Sequence, residues 1–128
     1  MECQECSAET VRFAVPDEYD SYLPGEEDVV ALCTGCLAIQ PATEPAEAPD
    51  FERVSDGFPT GEAAIPLALL LGLLENLALY RSEITELLDA VERAGTDPLL
   101  ALDRLAQDSD IETDLDLSGR RRQLEQLL

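Results

Sequence analysis

The chain contains no histidine and no lysine. Without histidine, neither a Ser-His-Asp nor a Cys-His catalytic centre can be assembled. The seven glycines form neither GxGxxG nor GxxxxGK[ST], so a phosphate-cradling loop is excluded as well. Aromatic residues make up only 5% of the chain, and a core must be built mainly from leucine, alanine and valine. Long apolar runs are also scarce. The longest extends from Ala63 to Leu74, where Glu75 and Asn76 interrupt it. A run that short suits a buried helix better than a membrane span, and no positive cluster flanks it. Met1 is followed at once by Glu2 and Cys3, with no basic or apolar leader, so a cytoplasmic, reducing location is expected.

What is present in excess is negative charge. Twenty-eight acidic residues face eight basic ones, all arginine, for a formal charge of −20. The acids are spread along the whole chain rather than gathered in a tail, which reads as adaptation of the entire surface. Self-repulsion at this charge destabilises a compact state until salt screens it. The expectation is therefore a halophilic protein, in which acidity does not identify a partner. Paired acids such as Asp114 and Asp116, or Glu26 and Asp28, arise by chance in such a chain and read as solvated surface. With 45% hydrophobic residues there is still enough apolar material for a core.

Four cysteines carry the chemistry. They fall as Cys3-x2-Cys6 and, twenty-six residues later, Cys33-x2-Cys36. Each pair can form a tight knuckle with both sulfurs pointing one way. Two β-like runs, Thr10–Val15 and Val29–Leu32, lie between the pairs and can bring the knuckles together as a hairpin. Four thiolates then complete a tetrahedron about 2.3 Å from a zinc ion. Such a site is coordinatively closed, so the one zinc expected per chain is structural and an enzyme is not expected. A redox pair and an iron–sulfur cluster are the alternatives for the same cysteines.

The remainder divides at composition shifts. Residues 1–40 are expected to form a zinc ribbon of short antiparallel strands, with a Pro24-Gly25 turn in the intervening loop and a third strand at 37–39, before Pro41. Residues 41–61 read as a Pro/Glu-rich linker with a docking turn at Phe51, Val54 and Phe58. Residues 62–128 read as a helical domain. Leu67, Leu70, Leu74, Leu77, Ile84, Leu88 and Val91 form one 3-4 seam along a helix over 62–94, in which Arg81 fills the one missing position. Gly95 suits the C′ position, and Asp97-Pro98 suits the N-cap and first turn of a helix over 98–107. Ser118 is expected to cap a last helix running to Leu128. The fold class is thus α+β: an N-terminal four-cysteine ribbon followed by a helical hairpin or small bundle.

The motifs Cys3-Gln4-Glu5-Cys6 and Cys33-Thr34-Gly35-Cys36, with the acidic, lysine-free composition, resemble the small CPxCG-related zinc-finger proteins of haloarchaea. Gln4 departs from the usual proline of the knuckle, and Ser7 and Leu37 stand where glycine is common. The resemblance implies zinc binding and an adaptor or regulatory role, and no reaction. Three functions follow in order: a zinc-binding adaptor acting through protein–protein contacts, a nucleic-acid-associated module, and a thiol redox or metal-handling protein. The apolar seam of helix 62–94 also suits a homodimer interface. Arg120, Arg121 and Arg122 form the one basic cluster that could contact phosphate, though a charged helix face is the plainer reading, and nucleic acid is not favoured.

Overall fold

The computed structural model describes residues 2–23 and 28–127. The Pro24-Gly25 turn, Glu26 and Leu128 lie outside the described residues. The architecture is α+β, with a three-stranded antiparallel sheet near the N-terminus followed by helices. Strands β1 (Thr10–Ala14), β2 (Val29–Cys33) and β3 (Ile39–Ala42) lie in sequential order.

Alternation decides the faces of the sheet. Val11 pairs with Leu32 and Phe13 with Val30, and all four are buried in the main core. Thr10, Arg12 and Ala14 alternate with them on the opposite face, as a period of two requires. β3 runs through Pro41 instead of stopping before it. The sheet tolerates this because β3 is an edge strand, where a missing N–H costs no ladder bond. Beyond β3 the proline-rich stretch reaches the outer side of β1, where the Ala46 N–H donates to the Arg12 carbonyl oxygen at 3.2 Å.

Phe51, Val54 and Phe58 are all buried in the main core, and a tight turn covers Phe51–Arg53. The Phe51 ring sits 5.1 Å from that of Phe13 and is stacked at 5.6 Å on that of Phe58. This aromatic row joins the sheet to the segment before the helices. Aromatic contacts of this kind each add about 1 kcal/mol beyond area burial.

The helix expected over 62–94 is broken. Helix α1 covers Ala64–Leu73, a tighter turn covers Leu74–Asn76, and helix α2 covers Arg81–Arg93. Leu79 and Tyr80 both donate to the Asn76 carbonyl oxygen and close the turn between them. The physical reason lies in α1, where Ala64 and every residue from Pro66 to Leu71 is buried. A helix apolar all round must be covered on several sides. A straight helix of this span would run about 50 Å and leave that half bare. Folding back lets α2 cover α1. Arg81, the one defect in the apolar seam, begins α2.

The same reversal answers the ground for self-association. Leu67, Leu70, Leu74, Ile84, Leu88 and Val91 are all buried within the chain, so the seam is not an open face. Among the described residues, Leu79 and Leu100 are the large apolar side chains left exposed. No described helix is long and apolar enough to cross a membrane.

Helix ends follow local chemistry. Gly95 adopts φ +91°, its N–H bonds to the Glu92 carbonyl, and the Thr96 N–H bonds to that of Val91. These two bonds define a Schellman stop. The Asp97 carboxylate caps α3 (Pro98–Gln107) by accepting from Leu99 and Leu100. The last helix, α4 (Leu117–Glu125), is capped by Asp116 rather than Ser118. Its carboxylate accepts the Gly119 N–H at 3.1 Å. A Cβ at Gly119 would lie 2.1 Å from Asp116 Oδ2, so any larger residue would displace the capping carboxylate. Helix α1 approaches β3 at Gly72, where a Cβ would come within 3.1 Å of Ile39 Cγ1. This close approach explains a glycine inside a helix despite its poor propensity.

Candidate metal centre

Both cysteine pairs sit at strand termini. The first knuckle precedes β1 and the second follows β2 directly. Their backbones match. The Cys3 N–H bonds to the Ala8 carbonyl at 2.8 Å and the Cys33 N–H to the Ala38 carbonyl at 2.9 Å. Ser7 and Leu37, each following the second cysteine of its pair, hold left-handed φ values of +66° and +65°. These are the positions where a glycine would be expected. A non-glycine residue there costs about 1–2 kcal/mol. Leu37 is buried in the main core and anchors its knuckle to the body of the protein, whereas Ser7 is exposed.

The four Sγ atoms of Cys3, Cys6, Cys33 and Cys36 lie within 4.8 Å of one another. Cys6 and Cys33 are 3.4 Å apart and Cys3 and Cys36 are 3.7 Å apart. A disulfide needs about 2.05 Å. A tetrahedron of sulfurs at about 2.3 Å from a central ion has edges of about 3.8 Å. The cluster therefore has the dimensions of a metal site. Gly35 lets the knuckles meet, since a Cβ there would lie 3.0 Å from that of Ala8 and 3.4 Å from Cys6 Sγ. Thr34 ties the second knuckle to the start of β1, donating to the Glu9 carbonyl through both N–H and hydroxyl.

The donor set explains the electrostatics. Burial pushes the Cys3 thiol up, but N–H groups of Cys6 and Glu5 and the neighbouring Cys33 and Cys36 outweigh it and hold Cys3 at about 7. Burial pushes Cys33 up against the N–H groups of Cys36 and Gly35. Burial also raises Cys36, opposed by the Ala38 N–H and reinforced by the thiols of Cys33, Cys6 and Cys3. Four adjacent thiolates repel one another unless a cation neutralises them. The residues present thus fit a soft divalent ion.

Sequence reasoning missed Gln40. This buried side chain on β3 donates from Nε2 to Cys3 Sγ at 3.2 Å and accepts the Gln4 N–H on Oε1 at 3.4 Å. It supports the first knuckle from the sheet, as partners beyond the ligands commonly do. No spacing or composition signal marks it. A second missed contact comes from far along the chain: the Glu112 N–H bonds to the Gly35 carbonyl at 2.7 Å. The acidic loop between α3 and α4 is thereby pinned to the second knuckle.

The arginine cluster has partners of its own. Arg121 pairs with Asp103 and Glu125, and Arg120 donates to the Glu75 carbonyl and to Gln123. Arg122 stays exposed. Asp114 is exposed, and Asp116 serves as the α4 cap.

Fold and cluster together define a small α+β protein with four cysteines placed to hold a metal ion. The chain belongs to the family of unknown function DUF6276, whose model matches residues 2–128. No curated protein and no solved structure matches it.

Proposed function

We propose that this protein is a non-enzymatic adaptor whose N-terminal four-cysteine ribbon holds one structural zinc ion and which acts through protein–protein contacts. The observation that carries the reading is the clustering of four sulfurs within 4.8 Å of one another on two matching knuckles. Cys3, Cys6, Cys33 and Cys36 would hold the ion, and a closed shell of four thiolates leaves no position for an activated water. The role of the ion is then to hold the knuckles, a common device in modules too small to stabilise themselves by burial. The charge of −20 supports a salt-rich cytoplasm as the setting. The same features ally the chain with the CPxCG-related zinc-finger proteins of haloarchaea. Nucleic-acid binding is the weaker reading, because Arg120 and Arg121 are engaged within the chain.

The test is elemental. Protein purified in concentrated KCl without chelators is analysed for zinc, iron, phosphorus and sulfur by mass spectrometry. Each chain carries five sulfur atoms, from four cysteines and one methionine. One zinc per five sulfurs without phosphorus supports the adaptor. Excess phosphorus moves nucleic acid to the front, and iron or no metal sinks the zinc reading.

A further inference from the structure

The four cysteines are equivalent in sequence but not in setting. Cys3 and Cys33 are buried, Cys36 is half-buried and Cys6 is exposed. N–H donors gather on the two buried sulfurs. Cys3 receives Gln40 Nε2 and the Glu5 N–H, and Cys33 receives the N–H groups of Gly35 and Cys36. A donor withdraws electron density from sulfur and occupies a lone pair, which lowers nucleophilicity. Cys6 also lines an open cleft of about 300 Å³ together with Cys36, Leu71 and Leu115. Gly35 places no side chain against the Cys6 sulfur, where a Cβ would lie 3.4 Å away. The Cys6 sulfur lies 3.4 Å from that of Cys33, across the two knuckles.

We propose that Cys6 is the oxidation-sensitive ligand of the centre and that peroxides convert Cys6 and Cys33 into a disulfide, releasing the ion. The inference rests on the metal-binding reading above and adds a regulatory chemistry to the same site. The Cys6 thiolate attacks one peroxide oxygen. An S–O bond forms, the O–O bond breaks, and hydroxide or alkoxide leaves, giving a sulfenic acid. The Cys33 thiolate then attacks the Cys6 sulfur. An S–S bond forms, the S–O bond breaks, and a second hydroxide leaves. Two thiolates lose two electrons in total and the peroxide gains them, with no change in valence of the ion. With two of its four donors gone, the site no longer holds its ion. The new bond ties the same two knuckles together, and a dithiol reductant with added zinc restores the starting state.

The experiment uses the full-length, zinc-loaded protein in concentrated KCl, with its metal content measured first. Substoichiometric hydrogen peroxide is added, free thiols are alkylated, and disulfides are mapped by tandem mass spectrometry while a chromophoric chelator follows zinc release. The expected first product is Cys6–Cys33, with one zinc released per disulfide. In unoxidised protein, Cys6 is expected to alkylate at least about fivefold faster than Cys3 or Cys33. A first disulfide of Cys3–Cys36, a disulfide within one knuckle, or zinc retained after oxidation overturns the proposal. The Gln40→Leu variant removes one donor from Cys3 and is expected to speed Cys3 alkylation severalfold; an unchanged rate overturns the donor argument. Starting protein without metal defeats the zinc reading and this inference with it. One zinc per chain with a different first disulfide defeats the inference alone.

Discussion

The two knuckles share one backbone and differ in what surrounds them. Both close the same N–H to carbonyl bond and both place a non-glycine residue in the left-handed region. The second is built into the protein: Cys33 ends β2 in full burial, Leu37 enters the main core, and Gly35 accepts the Glu112 N–H. The first is more open: Cys3 is buried and held by Gln40 from the sheet, but Cys6 and Ser7 are exposed. The difference separates two jobs. The second knuckle is positioned by the core, whereas the first meets it through the Cys3 and Cys6 sulfurs and the Gln40 contact. Strain at position 37 is offset by burial, and strain at position 7 has no such compensation.

The largest effect should come from removing the sulfur that belongs to both the core and the site. Cys33→Ala is expected to abolish stoichiometric zinc. It should also lower the melting temperature in concentrated KCl by more than any single core truncation, because metal binding in such modules is worth on the order of 10 kcal/mol of folding free energy. Chelation of the parent should reproduce most of that loss. Circular dichroism melts with and without a chelator, with residual zinc measured on each sample, check both. A Cys33→Ala melt within a few degrees of the parent would mean that the second knuckle owes nothing to the ion.

Leu37→Gly sharpens the contrast. Glycine suits the left-handed backbone and would be chosen on that ground alone. The side chain it deletes is buried, however, and losing a buried leucine costs about 2–5 kcal/mol, against a strain relief of about 1 kcal/mol. The net expectation is destabilisation by about 1–4 kcal/mol, read from urea denaturation of zinc-loaded protein. A neutral outcome would show that the core closes over the gap and that Leu37 is not an anchor.

Gly35→Ala acts between the knuckles. The added methyl meets Ala8 Cβ at 3.0 Å and Cys6 Sγ at 3.4 Å, so the first knuckle must shift by a few tenths of an ångström. Zinc affinity in a competition titration is expected to fall roughly tenfold, the lower end of what displaced supporting groups cost a metal site. Unchanged affinity would mean that the first knuckle adapts freely.

The same contrast shows what the sequence could and could not disclose. The CxxC pairs and the flanking β runs were legible because ligand spacing and two-residue alternation are local. So were Gly95 and Asp97-Pro98, where a stop and a start are encoded within a few residues. The break in the 62–94 stretch was not, because a 3-4 seam continues in phase across a reversal, and only Arg81 marks the spot. Ser118 lost the cap to Asp116 because two capping residues competed and a glycine three residues on favoured the earlier one. Gln40, Gly72 and the Glu112 contact depend on partners distant in sequence, and no local pattern carries them. The seating of Leu37 belongs in the same class. A leucine in place of a knuckle glycine looks like a defect until the core beneath it is seen.

The smallest effect is the one that isolates strain. Ser7 holds φ +66° with its side chain exposed, so Ser7→Gly removes about 1 kcal/mol of backbone strain and deletes no buried contact. Against this, glycine adds conformational freedom to the unfolded chain, worth about 0.5 kcal/mol or a little more. The net expectation is a gain of about 0.5 kcal/mol, a rise of roughly 2–3 °C in melting temperature for a chain of this size. It should appear in both metal-loaded and metal-free protein if the strain is purely conformational. If it appears only in the metal-free protein, the ion itself holds Ser7 in the left-handed region and the first knuckle is shaped by its ligand. Destabilisation by Ser7→Gly would break the comparison outright, because the exposed knuckle would then depend on its side chain as the buried one does.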